Sequence, residues 1–243
     1  MKNSLTNANK ALWDAKKIIA QIITDVVNLE DINYTVPEVQ TLLDGITVGG
    51  HKIQDELITL NQANAWNFLF ASIENNTFAV NKEFVLQLHA LVAKGEALKW
   101  GEFRSGGVSI SGTSYVPSQA LLLDDLWGKL ELETKKLLQK DNIPEKMRLY
   151  KAATNLFAKM ARTQFFFDGN KRTGRMMMSG LLLANYQPMI NVPATRKLEF
   201  NKVMINYYNT EEFGPAYQFL ISCLDEWVVK EYKLEDIYGS KVQ

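Results

Sequence analysis

The sequence predicts a mainly α-helical protein that carries one short β-hairpin. Several segments repeat apolar residues at intervals of three and four, which is the period of an amphipathic helix. One central segment holds five of the 14 glycines and alternates apolar with polar residues, which is typical of a hairpin. With 47% hydrophobic and 22% charged residues, the composition is that of a globular protein with a sizeable core.

The helical period is clearest in the second half of the chain. The apolar residues of one segment fall on a single helix face: Leu149, Ala152, Ala153, Leu156, Phe157 and Met160. By the same criterion the predicted helices cover approximately residues 19–27, 55–70, 149–160, 171–185, 200–208 and 220–228. The single cysteine, Cys223, lies on the apolar face of the last one, so we expect a buried small side chain and no disulfide.

Charge and hydropathy exclude several classes of partner. The 27 basic residues balance the 27 acidic ones, and a nucleic-acid-binding protein is expected to be basic instead. The most apolar stretch, Met176–Ala184, is far shorter than the roughly 20 residues that cross a bilayer. The N-terminus shows no signal-peptide pattern. We therefore expect a cytoplasmic protein that binds neither nucleic acid nor membranes; the sequence leaves homo-oligomerisation open.

The hairpin is predicted just before Pro117. Val108 and Ile110 alternate with Ser109 and Ser111, which is the period of a strand with one buried face. An isolated hairpin leaves an open edge, and an extended peptide can pair with such an edge as an added strand.

The segment with the clearest chemistry, QFFFDGNKRTGR, runs from Gln164 to Arg175 between two predicted helices. Its Asp-Gly-Asn is a turn sequence, and the turn leads directly into a helix start, where exposed N–H groups favour an anion. Arg172 and Arg175 project from the same side of the first turn of that helix. The positive charges of these two arginines are unfavourable at the positive end of the helix dipole. We therefore expect a bound anion to offset the repulsion.

Asp168 lies one step from this anion-binding turn. Its carboxylate suits a Mg²⁺ ion that bridges phosphates. From the residues alone, a solvated turn with surface arginines remains the alternative.

This segment resembles the signature loop of the Fic (Fido) domain family, His-Pro-Phe-x-Asp/Glu-Gly-Asn-Gly/Lys-Arg-x-x-Arg. Seven positions match it: Phe166, Asp168, Gly169, Asn170, Lys171, Arg172 and Arg175. Residues 100–117 are similar to the flap hairpin of the family. The resemblance implies a Fic-type helical bundle with a small β-hairpin flap over residues 81–228. It leaves an N-terminal helical region, 1–80, as a candidate for inhibition or regulation, and a C-terminal tail, 229–243.

The resemblance implies transfer of AMP from ATP to a hydroxyl group of a target protein, which the sequence does not identify. Asp168 would hold Mg²⁺, and the Gly169–Asn170 turn with Lys171 and Arg172 would bind the phosphates. Arg175 would hold the γ-phosphate. The flap, formed by Val108, Ser109, Ile110 and Ser111, would hold the target segment as an added strand.

One departure from the family pattern concerns the proton acceptor. The catalytic histidine of the family falls on Gln164, and a glutamine amide cannot serve as a general base near neutral pH. Losing a base typically costs 10²- to 10⁴-fold in rate. His51 and His89 are distant in sequence, and the apolar neighbours of His89 predict a structural role.

Three interpretations follow from this departure. The chain binds a nucleotide but transfers AMP weakly or not at all; or it is an active phosphoryl or nucleotidyl transferase that uses another base; or it is a non-catalytic peptide-binding module.

An inhibitory segment is the last expectation. Many Fic proteins carry a Ser/Thr-x-x-x-Glu-Gly/Asn helix whose glutamate pairs with the second arginine of the signature loop. The nearest match here is Gln40-Thr-Leu-Leu-Asp44-Gly45, in which Asp44 would pair with Arg175. A plain Asp-Gly turn is the alternative.

Overall fold

The computed structural model describes residues 9–238, which form eleven α-helices joined by turns and three short 3₁₀ helices. The helices are α1 (Lys10–Lys17), α2 (Ile19–Asn28), α3 (Val36–Leu43), α4 (Ile53–Glu74), α5 (Lys82–Val92), α6 (Leu123–Leu138), α7 (Glu145–Thr163), α8 (Asn170–Ala184), α9 (Lys197–Thr210), α10 (Phe213–Ile221) and α11 (Glu226–Tyr232). None of these helices is long and apolar enough to cross a membrane.

Several helices begin where the local sequence provides a cap. The side chains of Asn9 and Asn81 accept hydrogen bonds from the first turns of α1 and α5. At α3, Thr35 and Glu38 form a reciprocal capping box, and Pro37 lies within the first turn. These starts are therefore fixed by residues adjacent in sequence.

A single hydrophobic core extends from α1 to the C-terminal 3₁₀ helix, Glu235–Tyr238. Helix α7 lies at its centre and packs on α6, α8, α9 and α10. The N-terminal helices α2 and α3 pack on α4, and α4 packs in turn on α5 and α8. The N-terminal region thus shares its core with the central helices, and the proposed division of the chain at residue 80 stays a prediction.

Most of the predicted helices are present, and one is divided. The helices predicted at 55–70, 149–160 and 171–185 are confirmed as α4, α7 and α8. The helix predicted at 220–228 ends at Ile221 and restarts at Glu226, because the chain turns between them and leaves Trp227 exposed. Cys223 lies in this turn, half-buried, and burial raises the pKa of its thiol to about 11.

The predicted β-hairpin is not present, because residues 9–238 contain no strand. Val108, Ser109 and Ile110 have no regular secondary structure, and Ser111 lies in a turn. A buried arginine, Arg104, closes the segment instead. Its guanidinium donates to the backbone carbonyls of Gly106, Ser118 and Gln164. The alternating pattern therefore describes a loop held by a side chain, which sequence periodicity cannot distinguish from a hairpin.

Candidate functional site

The signature segment forms a tight loop between α7 and α8. Gln164 ends α7 with a left-handed backbone (φ 54°), and Gly169 precedes α8 with another (φ 71°). A side chain is strained in that backbone region, so glycine suits position 169. Phe165 and Phe166 anchor the loop to the core, because both are buried in an aromatic cluster with Phe103.

Asn170 organises the interior of the loop. Its Oδ1 accepts from the N–H of Phe166 at 2.9 Å, and its Nδ2 donates to the Phe166 carbonyl at 2.8 Å. The same Nδ2 donates to Oε1 of Gln164 at 3.0 Å. Although the sequence predicts Asn170 as a phosphate-binding residue, its side chain faces the protein, so only its backbone at the start of α8 is left for an anion.

The side chain of Gln164 is likewise held within the protein. Its Nε2 donates to the Ala161 carbonyl at 2.6 Å, while its Oε1 accepts from Asn170. Gln164 still lines the cavity beside the loop, but both ends of its amide are already bonded. The chemistry available at this position is therefore hydrogen bonding without proton transfer.

His89 contacts the loop, although 79 residues separate it from Asp168. Its Nδ1 accepts from the N–H of Gly101 at 3.1 Å, so Nε2 carries the proton and donates to the Asp168 carbonyl at 3.0 Å. Its ring is fully buried and stacks on Phe166. The structural role predicted for His89 is confirmed: its hydrogen bond to the Asp168 carbonyl holds the signature loop.

The buried histidine gives a testable pH dependence. Burial lowers the pKa of His89 to about 4, although its hydrogen bond to the Asp168 carbonyl acts in the opposite direction. Between about pH 4 and 6.5 the unfolded chain binds a proton that the folded chain does not, so stability falls as pH drops through this window. This pKa shift corresponds to a loss of about 3 kcal/mol in the free energy of unfolding across the window. Urea unfolding of the native chain and of His89→Gln at several pH values should show this extra loss in the native chain only; parallel curves would contradict it.

The first arginine of the loop, Arg172, is bound by a glutamate from the turn after α5. Nη1 and Nη2 of Arg172 donate to the two carboxylate oxygens of Glu96 at 2.7 and 2.6 Å. Nη2 also lies 3.4 Å from Oδ1 of Asp168. The side chain of Arg172 is only 4% exposed. The repulsion expected at the start of α8 is thus offset here by a protein carboxylate.

A second carboxylate, Glu30 in the turn after α2, faces the other two cations. It lies 3.5 Å from Nη2 of Arg175 and 3.4 Å from Nζ of Lys171. Burial would raise the pKa of Glu30, but Lys171, Arg175 and Arg172 outweigh it and lower the pKa. The sequence does not predict Glu30 as a site residue, because no local motif distinguishes it from other glutamates that follow a helix.

The pairing predicted for Asp44 is not found among the described residues. Asp44 is exposed at the end of α3, and its carboxylate accepts from Nε2 of Gln40 at 2.9 Å. The carboxylate beside Arg175 is Glu30 instead. The Asp44-Gly45 sequence forms the end of a helix and its following turn, which was the alternative interpretation.

These residues surround a cavity of about 470 Å³. Its walls come from the signature loop, the segment around Ile110, the turn after α2 and α9: Glu30, Ser109, Ile110, Ser111, Gln164, Phe167, Asp168, Gly169, Asn170, Lys171, Arg172, Asn201, Met204, Ile205 and Tyr208. The structure thus brings most of the predicted site residues to one cavity. Three predicted residues, Val108, Asp44 and Arg175, do not line it, and Arg175 lies buried 3.5 Å from Glu30.

The site suits an anion better than a bare metal ion. The Nε and Nη1 groups of buried Arg175 have no hydrogen-bond partner among the described residues, which is costly for a charged group. The described residues hold no group of three or more acidic, cysteine or histidine ligands. Asp168 is 59% exposed, and one carboxylate is enough for a Mg²⁺ ion that arrives with phosphates.

Comparisons with known proteins match both the loop and the fold. Residues 79–182 match the model of the Fic/DOC family. Proteins named protein adenylyltransferase Fic from Drosophila mojavensis and Drosophila grimshawi are 26% and 27% identical over 232 residues, or 92% of this chain. The chain spans 43% and 45% of those relatives, less than half of their length.

Two solved structures share the fold. A Fic-1 fragment from C. elegans superposes with a TM-score of 0.76 over 95% of this chain and 68% of its own, at 16% identity. A Fic-domain signalling protein from Bacteroides thetaiotaomicron also gives a TM-score of 0.76, over 98% of this chain and 95% of its own, at 16% identity. At these identities the superpositions establish a helical Fic-type fold and no activity.

Proposed function

We propose that residues 79–182, which match the model of the Fic/DOC family, form a Fic domain distantly related to protein adenylyltransferases, and that the chain binds Mg·ATP in the cavity beside the signature loop. We propose further that it transfers AMP to a protein hydroxyl group weakly or not at all. The first part rests on Arg175 and Lys171, and the second rests on Gln164.

The observation that carries nucleotide binding is the state of Arg175. Its guanidinium is buried, two of its nitrogen groups lack a partner among the described residues, and the nearby Glu30 carboxylate reaches it at only 3.5 Å. A phosphate group has several acceptor oxygens, so it would accept more hydrogen bonds from Arg175 than Glu30 does through its single long contact. A phosphate that displaced Glu30 would therefore satisfy a charge that the protein itself satisfies poorly.

The other loop residues supply complementary parts. The first turn of α8 presents its N–H groups and the positive end of the helix dipole to an anion. Lys171 adds a charge at the rim, and the exposed carboxylate of Asp168 would hold Mg²⁺. The metal ion would neutralise phosphate charge and fix the position of the phosphates.

Proton transfer is the step for which the chain is poorly equipped. Gln164 has no titratable group, and His89 is buried with both ring nitrogens bonded. Glu30 lies in the cavity, but the cations that lower its pKa make it a weak base. These observations support weak or absent transfer to a hydroxyl group.

The flap segment supports a role in holding a target. Ser109, Ile110 and Ser111 line the cavity, and this segment has no strand partner among the described residues. An extended segment of a target protein would pair with this backbone and bring a hydroxyl group to the cavity. The same observation supports the second candidate function, a peptide-binding module whose nucleotide site is vestigial.

Calorimetric titration with Mg·ATP distinguishes the two functions. We expect saturable binding at one site, and we expect Arg175→Gln to weaken it at least tenfold. An Arg196→Gln variant, which removes a half-buried arginine outside the cavity, should bind as the native chain does. If neither the native chain nor a Glu30→Gln variant binds Mg·ATP saturably, nucleotide binding is refuted and the peptide-binding module is favoured.

A further inference from the structure

The two arginines of the loop are bound to carboxylates in unequal ways. Arg172 makes two short, forked contacts to Glu96, at 2.6 and 2.7 Å. Arg175 makes one long contact to Glu30, at 3.5 Å. Paired N–H···O bonds in a fork are among the strongest hydrogen bonds in proteins, whereas a single contact at 3.5 Å is weak. The two arginines therefore differ in how readily a ligand can take them over.

The pair of Arg172 and Glu96 is also the better shielded of the two. The side chains of Arg172 and Glu96 are 4% and 14% exposed, whereas Glu30 is 25% exposed at the edge of the cavity. Removing one member of a buried pair leaves an uncompensated charge in a poorly solvated place, which is strongly destabilising. A ligand that turned Arg172 away from Glu96 would incur that penalty, and one that displaced Glu30 would not incur it to the same degree.

The position of Glu96 indicates what the pair does. Glu96 lies in the turn after α5, four residues beyond Val92, and Val92 and Ala93 approach Gly169 of the loop. The pair thus joins the end of α5 to the first turn of α8, beside the contact that His89 makes with Asp168. It closes a second link between the same two elements.

We propose that Glu96 holds Arg172 as a positioning residue, so that Lys171 and Arg175, and not Arg172, contact the phosphates of the ligand. This inference rests on the proposed nucleotide binding and departs from the role that the family resemblance implies for Arg172. Under this proposal a ligand has to displace only one carboxylate, because Lys171 and Arg175 both face Glu30. Displacing one carboxylate frees both cations that would bind the phosphates, while Glu96 keeps Arg172 bound and away from them.

The test removes the pair as a unit, so that no buried charge is left alone. In a Glu30→Gln chain, Glu96→Gln with Arg172→Gln should leave the Kd for Mg·ATP within about threefold of the reference. Arg175→Gln in the same background should raise that Kd at least tenfold. If removing the pair weakens binding as much as Arg175→Gln does, Arg172 is a phosphate ligand and the proposal is overturned.

A matched control separates this effect from a general loss of charge. Half-buried Arg196 and exposed Glu199 form a forked pair outside the cavity, at 2.8 and 2.9 Å. Replacing both by glutamine should leave the Kd unchanged. If the Glu30→Gln reference itself does not bind Mg·ATP, both the proposed function and this inference are refuted, whereas loss of binding on removal of the buried pair refutes the inference alone.

A second measurement follows Mg·ATP binding in a chain in which the pair of Arg172 and Glu96 is intact. The guanidinium resonances of Arg172 and Arg175 in a ¹⁵N-arginine sample of Glu30→Gln can be assigned with Arg172→Lys and Arg175→Lys. On addition of Mg·ATP we expect the Arg175 resonance to move several-fold further than that of Arg172. Equal or larger movement of Arg172 would overturn the proposal.

Discussion

Replacing Gln164 by histidine is expected to raise AMP transfer by about 10²- to 10⁴-fold, the usual contribution of a general base. The backbone at this position is already left-handed, a conformation in which histidine is several-fold enriched among non-glycine residues. The position lines the cavity, so an imidazole there would be able to take a proton from a hydroxyl group of the target. The change supplies the one group that the loop lacks.

Incorporation of labelled AMP from ATP into the chain itself measures this effect. We compare four chains: the native chain, Gln164→His, Glu30→Gln and the double variant. The Glu30→Gln chains show whether low labelling comes from Glu30 competing with ATP or from the lack of a general base at position 164. We expect labelling only in the two chains that carry the histidine, and most in the double variant. Gln139→His places the same residue at the exposed end of α6 and should not label. Labelling of the native chain at a comparable rate would contradict the proposed loss of activity.

Replacing Glu30 by glutamine is expected to tighten Mg·ATP binding by about 10- to 100-fold, or roughly 1.4–2.7 kcal/mol. The glutamine keeps the size of the side chain but removes the charge that faces Lys171 and Arg175. Phosphates would then meet two cations without competition from a carboxylate. Calorimetry with the native chain and with Glu30→Gln gives both affinities directly.

Asp44→Asn is the matched control for that experiment. It removes the same unit of charge from an exposed residue whose carboxylate bonds to Gln40 and not to the loop. We expect its affinity for Mg·ATP to stay within twofold of the native value. Tighter binding in Asp44→Asn without a change in Glu30→Gln would restore Asp44 as the inhibitory residue and exclude Glu30.

The carboxylates and the histidine that complete the site were beyond sequence reasoning. Glu30 lies 145 residues from Arg175, and Glu96 lies 76 residues from Arg172. No local spacing relates such residues, because packing of α2, α5 and α8 brings them together. His89 reaches Asp168 in the same way. Its apolar neighbours indicated burial, but they gave no indication of which loop it supports.

The predicted hairpin shows the same limit for backbone structure. Residues around Ile110 alternate as in a strand, yet they form no strand, and the hydrogen bonds that hold the segment come from Arg104. Whether an extended segment pairs as a strand depends on partners that the alternation does not specify.

By itself, the sequence determined the helical class, the central helices, and the loop from Gln164 to Arg175 with its glutamine and its cations. These features depend on residues within a few positions of one another, where helix period and turn chemistry act. Only the tertiary structure decided which charges the loop cations meet, Glu96 at Arg172 and Glu30 at Arg175. The reason is physical: the pairing of buried charges depends on helix packing, and packing joins residues without regard to their separation along the chain.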